Sequence, residues 1–274
     1  MIRSIYNMKK LSIALVSLTL LATSPFAQKK PIPIVELKTS GLMGGVQNGK
    51  WIAPDKMASK MEASTEFMLV GWNGVEEGGV SLAKRGETED VCKDFFRIEF
   101  ELEQDFGIAI GTNARWDPVP RKPQSISLSD TTYKAIVGNF LKTKGILKPV
   151  VKLTQAYRVD LEGDGKEEVL LTATYYKNGL SASAAAGDYS VIVLRKIVGS
   201  KVVNYEIEGE YVKKNVGFGA PNEFSISTIA DLNGDGKMEI VTYAEYYEGS
   251  SSGAVEIKNG KPVTIKEFAI GCGV

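Results

Sequence analysis

Two stretches of this chain carry oxygen-bearing residues at a spacing that can hold a hard cation. They are Asp160-Leu-Glu-Gly-Asp-Gly-Lys-Glu-Glu168 and, 71 residues later, Asp231-Leu-Asn-Gly-Asp-Gly-Lys-Met-Glu239. Each places side-chain oxygens at positions one, three, five and nine, with glycine at four and six. Calcium takes about six to eight oxygen ligands in flexible geometry, and a backbone carbonyl at position seven can complete the wrap while the glycine at six permits a sharp bend. The candidate ligands are therefore Asp231, Asn233, Asp235, the carbonyl of Lys237 and Glu239 in the second loop. In the first loop they are Asp160, Glu162, Asp164, the carbonyl of Lys166 and Glu168. Converging carboxylates repel one another without a cation, which favours calcium. Magnesium suits the loops less, because it keeps its water and tolerates distortion poorly. The competing reading is an Asx-type turn whose side chains bond their own backbone and hold no metal. These are not EF-hands, since Leu171 and Thr242 stand at the twelfth position, where a bidentate Glu is required.

The rest of the composition narrows the chemistry. Among 274 residues there are 33 Lys and Arg, 33 Asp and Glu, two Cys and no His. Without histidine, Ser-His-Asp and Cys-His nucleophile systems, HExxH zinc sites and His-ligated haem cannot be built. Any catalysis must use carboxylates, Lys, Tyr, Ser or an oxygen-bound metal. A balanced charge gives no electrostatic footprint for nucleic acid. Residues 44–50 have P-loop spacing, but Trp51 stands where Ser or Thr must hold magnesium, so a β-turn is expected. Glu76, Glu77, Glu87, Glu89 and Asp90 read as solvated turns. The pairs Tyr175-Tyr176 and Tyr246-Tyr247, with Trp51, Trp72 and Trp116, read as sheet packing, with a stacking platform for a ligand as the alternative.

Arg3, Lys9 and Lys10 precede an apolar run over 11–22, the order of charges and apolar residues found in a secretory signal peptide. That run is short of the ~20 residues a transmembrane helix needs. The expectation is a signal over 1–27 and a secreted or periplasmic mature chain, with no stable membrane insertion after cleavage. Its loss leaves 30 basic against 33 acidic residues, a mildly acidic protein. Export permits a disulfide, for which Cys92 and Cys272 are the only pair. Two free buried cysteines are the other possibility.

The elements that must position the loops read as follows. Region 28–123 is β-rich, with alternation at 34–37 and 95–102, an apolar run at 67–72 and a turn at 47–49. The proline-rich stretch 117–123 reads as a linker. Region 124–274 opens with a helix at 131–144, capped by Ser129 or Asp130 and stopped by Gly145. Tyr133, Ile136, Val137, Phe140 and Leu141 fall on one face of it. Two units follow, at about 150–220 and 221–274, with strands at 190–194, 201–207, 224–229 and 262–268. The loop-plus-strand register holds downstream, where Ala173, Tyr175 and Tyr176 align with Ala244, Tyr246 and Tyr247. The Ser-rich stretches 180–187 and 249–253 read as mobile loops. Domains 28–123 and 124–274 can also form one continuous unit.

The pattern Asp-x-Asn-Gly-Asp-Gly-x-x-Glu between two strands resembles the calcium loop of FG-GAP (VCBS-type) repeats, found in integrin α-chain propellers and many exported bacterial proteins. The resemblance covers the chain from about residue 157 and implies calcium held by the loop carboxylates. The chain departs from the pattern at Glu162, where a short Asp or Asn is usual, and at Glu168 and Glu239, where Asp is usual. Residues 218–221 only echo the Phe-Gly…Gly-Ala-Pro element. A closed propeller takes about four or more four-stranded blades, whereas two units are found here. The expected fold is α+β and mainly β. Antiparallel sheets are built from two repeated strand-loop-strand units with at least one helix, incomplete or atypical propeller-like rather than a full propeller. The expected function is an exported, non-enzymatic calcium-binding protein, the metal mainly structural, on a module for an unknown protein or glycan. The alternatives are a secreted, glycan-acting hydrolase using carboxylates, with structural calcium, and a metal-free interaction domain.

Overall fold

Alternating apolar residues near the start of the chain build an antiparallel sheet. A computed structural model describes residues 30–62, 65–82, 84–85, 92, 95–100 and 107–273. The expected signal over 1–27, and Glu87, Glu89 and Asp90, lie outside these. The first strands are β1 (Ile32–Glu36), β2 (Gly41–Gln47) and β3 (Lys50–Ile52), followed by the short helix α1 (Pro54–Ala58). Then come β4 (Glu66–Gly71), β5 (Gly74–Leu82), β6 (Lys84–Arg85), β7 (Ile98–Glu99) and β8 (Ile108–Gly111). Six of them form a sheet in the order β3-β2-β1-β8-β4-β5, and β6 pairs with β7. Asn48 and Gly49 both have positive φ and join β2 to β3 as a tight hairpin. The P-loop spacing at 44–50 is thus a β-turn. Among the described residues of the alternation at 95–102, Ile98 and Glu99 form β7, and Phe96, Ile98 and Phe100 share one side, packing with Phe67 and Leu69.

The second sheet follows from β9 (Gln124–Ser125), β10 (Leu153–Val159), β11 (Glu168–Tyr175), β12 (Tyr189–Val198) and β13 (Lys201–Tyr211), in the order β13-β12-β11-β10-β9. Helix α2 (Thr131–Thr143) covers one of its faces. The Asp130 carboxylate accepts the N–H groups of Thr132 and Tyr133 at 2.8 and 3.1 Å, and Gly145 turns the chain away at φ 96°. Val137 and Leu141 are fully buried, with Tyr133, Ile136 and Phe140 packed beside them, so the expected apolar face is the one buried.

The third sheet is β14 (Glu223–Ala230), β15 (Glu239–Tyr246), β16 (Gly249–Lys258) and β17 (Lys261–Thr264), with β18 (Ile270–Gly273) also on β16. Residues 249–253 are not a loop. Flanked by β15 and β18, they form the start of β16, and at Gly249 a Cβ would stand 2.4 Å from the Cys272 carbonyl oxygen. Small residues are there because two strands close on this one.

The three sheets share one core. Ile34 and Ile110 meet Leu170, Ile192 and Leu194 from the second sheet and Ile226, Ile240 and Val241 from the third. Ile240 and Val241 are successive and so face opposite sides of their sheet, yet both lie in this core; the third sheet is buried on both faces. The protein is therefore mainly β with helices added, built of antiparallel sheets that do not close into a barrel or a full propeller. Among the described residues no helix is long and apolar enough to cross a membrane.

Polar links cross between the sheets. Gln155, at a bulge in β10, donates to the Ile226 carbonyl at 2.9 Å and accepts the Ile226 N–H at 2.7 Å, at the bulge in β14. Glu36 is fully buried and accepts Ser227 Oγ at 2.6 Å, Ser252 Oγ at 3.0 Å and both the N–H and hydroxyl of Thr39 at 2.9 Å. A disulfide joins Cys92 to Cys272 with Cα atoms 5.6 Å apart. Replacing Glu36 by Ala removes the side-chain acceptor of three hydroxyls and an amide in a buried interface, where Ser227 Oγ alone keeps a second residue's carbonyl, that of Gly107 at 3.2 Å. Each unsatisfied buried donor costs about 1–3 kcal/mol, so Glu36→Ala is expected to lose about 3 kcal/mol or more in urea unfolding. An unchanged midpoint would show that the network carries no stability.

Candidate metal centre

The two loops are conformational copies. The first joins β10 to β11 and the second joins β14 to β15. Gly163 and Gly165 have φ 70° and 80°, and Gly234 and Gly236 have 77° and 82°. These left-handed values favour glycine, which is why both loops need it at positions four and six. Asp160 accepts the N–H groups of Gly163, Asp164 and Gly165, and Asp231 those of Asn233, Gly234 and Gly236. Asn233 Oδ1 accepts Asp235 N–H at 2.9 Å, and Asp235 Oδ1 accepts Lys237 N–H at 2.8 Å. The side chains thus shape their own turn, as the Asx reading expects. Each ionised carboxylate still has about four lone-pair sites, so this bonding does not exhaust their capacity.

Position two anchors each loop. Leu161 and Leu232 are fully buried in the central core. Their N–H groups donate to the closing glutamates, Leu161 to Glu168 at 3.0 Å and Leu232 to Glu239 at 2.8 Å. Both glutamates are consequently buried, each 2% exposed.

The stretch 117–123 is not a free linker. Pro118 offers its carbonyl to the Asp231 N–H at 2.7 Å, and Trp116 Nε1 donates to the Asp231 carbonyl at 2.7 Å. The indole lies against Gly234, where a Cβ would fall 2.8 Å from the ring. Arg121 donates to the Asp160 and Leu161 carbonyls of the first loop and to the Gly236 carbonyl of the second at 2.7 Å. The Met238 N–H also reaches the Leu161 carbonyl at 2.8 Å, so the loops sit side by side under one strap.

Their electrostatics differ. In the first loop the Lys196 ammonium, 4% exposed, binds Glu162 and lies 3.6 Å from Glu168. Burial works against its charge, but the bond with Glu162 and the field of both carboxylates hold it above the ordinary lysine range. Burial raises the Glu168 carboxyl, and the Leu161 N–H and Lys196 pull it back. Lys166 pairs with Asp164 at 3.0 Å on the surface. In the second loop no Lys or Arg pairs with Asp231, Asp235 or Glu239 among the described residues. Burial pushes Glu239 up to about 9, the Leu232 N–H opposes this, and Asp231, Asp235 and Glu256 add to it. Burial also raises Asp231, against the loop N–H groups.

All ten expected positions fall in these two loops. Among the described residues no three acidic, His or Cys side chains stand close enough to hold a metal by themselves. The second loop has oxygen donors and a buried carboxylate that no Lys or Arg pairs with among the described residues. The aromatic platform finds little support, because Trp72 stacks on Tyr157 at 4.2 Å, Trp51 packs edge-on to Phe268 and Trp116 covers Gly234. Lys196, Glu256 and Arg121, and the place of Trp116 over the second loop, escape a sequence reading. Lys196 follows Glu168 by 28 residues and Glu256 follows Glu239 by 17, so unequal hairpins hide their equivalence.

The class this geometry defines is a three-sheet, β-rich protein with a duplicated strand-loop-strand unit. Comparison with known protein families, curated proteins and solved structures gives no match to the chain.

With divalent cations chelated, Glu239 imposes a pH dependence. Its folded value of about 9 lies above the ordinary 4.5, so between them the native state binds more protons than the unfolded one. This contribution is fully favourable below the unfolded value, and stability falls as pH rises from there towards about 9. Urea midpoints in chelator are expected to drop between about pH 5 and pH 8, and Glu239→Gln should flatten that slope. Equal slopes for both proteins would contradict the assignment.

Proposed function

We propose that this chain is an exported protein whose second loop takes calcium as a structural ion, on a domain that recognises a protein or glycan rather than turning over a substrate. The observation that carries the reading is Glu239. This carboxylate is buried beside Asp231, Asp235 and Glu256, and no basic side chain pairs with the three loop carboxylates among the described residues. A divalent ion there would relieve both the burial and the mutual repulsion. Asn233 and the Lys237 carbonyl add neutral oxygens, and the resemblance to FG-GAP loops points to the same ion. The Cys92–Cys272 disulfide agrees with export, since such bonds persist in oxidising compartments. The binding residues would be Asp231, Asn233, Asp235, Lys237 through its carbonyl, and Glu239.

An ion bound only by the folded state stabilises by mass action. Extracellular calcium modules work at about 0.1–1 mM, so 10 mM calcium should add about 1.4–2.7 kcal/mol, a rise of a few degrees in Tm. Chelator should reverse the rise and Asp235→Ala should abolish it, read by calorimetry and by Trp116 emission beside the loop. An unchanged Tm in both proteins would overturn the calcium reading.

A further inference from the structure

The second residue of chemical interest at each loop lies on a different strand, two strands along from where the loop begins. In the register of β11 with β12, Val169 faces Arg195, so the next pair brings Lys196 opposite Glu168. In the register of β15 with β16, Ile240 faces Val255, so the next pair brings Glu256 opposite Glu239. The two units have therefore placed a base and an acid at equivalent sites beside the same buried carboxylate. We infer that Lys196 is a built-in cation that takes the place of calcium in the first loop, which leaves the protein with one calcium site rather than two.

Two departures from the loop pattern then have a single explanation. Glu162 stands where the second loop has the short Asn233, and it is the residue that binds Lys196. A short side chain at position three serves an ion held inside the loop. A longer carboxylate reaches outward to an ammonium arriving from the neighbouring strand. Long acid and long base thus occur together in one unit and are both missing from the other. A third acid of the first loop is met as well, because Lys166 pairs with Asp164 while the equivalent Lys237 forms no ion pair with Asp235 among the described residues. In the second unit Lys258, largely exposed, binds Glu256 rather than the loop. A divalent ion entering the first loop would meet an ammonium that is 4% exposed and already bound by two of its would-be ligands.

The inference rests on the calcium reading for the second loop only where it counts sites, and the experiment separates the two. Calcium titration by calorimetry should give one ion per chain, lost in Asp235→Ala and kept in Asp164→Ala. Two ions per chain, or a single ion lost in Asp164→Ala, would overturn the inference. The reciprocal swap tests it from both sides, with Tm measured in chelator and in millimolar calcium. Glu256→Lys should raise Tm in chelator and cancel the calcium response. Lys196→Met should lower Tm in chelator and gain a calcium response that Asp164→Ala removes. If wild type shows no calcium response at all, the proposed function fails. The inference then stands or falls on whether Lys196→Met acquires one, or, if that variant does not fold, on whether Glu256→Lys gains stability in chelator.

Discussion

The N–H of the leucine at position two of each loop must donate to the glutamate at position nine, and this bond sets the terms for everything around it. Leu161 and Leu232 are core residues, so their amides sit at the edge of an apolar interior where an unpaired donor would be costly. The glutamate supplies the acceptor and is drawn out of water with it. Burying a leucine side chain gains about 1.5–3 kcal/mol, whereas an isolated buried carboxylate costs several. The loop can keep its anchor only if a positive charge comes to the glutamate or a proton does. Lys196 meets that demand in the first unit; in the second, burial raises Glu239 to about 9, so without a metal the carboxyl keeps its proton at neutral pH.

The same anchors bring the loops together. Both leucines belong to the core shared by all three sheets, so the loops emerge at one end of it and touch through Met238 and Leu161. The chain leaving the first sheet then crosses both. Its prolines keep it extended and free its carbonyls for bonding outward, as Pro118 does, while Arg121 gathers carbonyls from each loop and Trp116 closes over Gly234. A guanidinium suits this place because it offers five donors in a fixed fork. Deeper in the interface, Gln155 binds Ile226, the residue that matches it in the repeat, so the units also meet at equivalent positions. Glu36 completes the joining of first and third sheets with neutral donors alone.

Local features of this molecule were legible from the amino-acid order, and features that depend on pairing across strands were not. The α2 boundaries, its cap at Asp130 and its apolar face follow from 3.6-residue spacing. The loops announce themselves because all their candidate ligands lie within nine residues. Lys196 is different. It sits in a β-prone run and becomes an internal cation only through the β11–β12 register. Residues 117–123 look like a linker because prolines and exposed bases mark linkers, and nothing local reveals that two loops lie beneath them. Residues 249–253 look like a loop because serine and glycine favour turns, yet they are small because β15 and β18 close on both sides of their strand. Ser252 also serves as a donor to Glu36, 216 residues away in sequence.

Duplication gave two loops the same backbone, so what distinguishes them must come from side chains that the loop itself does not contain. The copies keep their glycine conformations, their leucine anchors and their closing glutamates, all of which belong to the shared core. The divergence falls on position three and on the facing strand, where a change alters charge without disturbing packing. A covalently tethered ammonium stays with Glu162 and Glu168 under every condition in which lysine is charged. A loop faced by Glu256 has no such tether, and its closing carboxylate takes whatever positive charge the surroundings provide. Because Arg121 binds carbonyls of both loops and Trp116 one of the second, the lysine-tethered first loop gives the strap a footing. The strap in turn holds the carbonyls of Asp231 and Gly236, so an ion would meet a turn already formed rather than having to fold one.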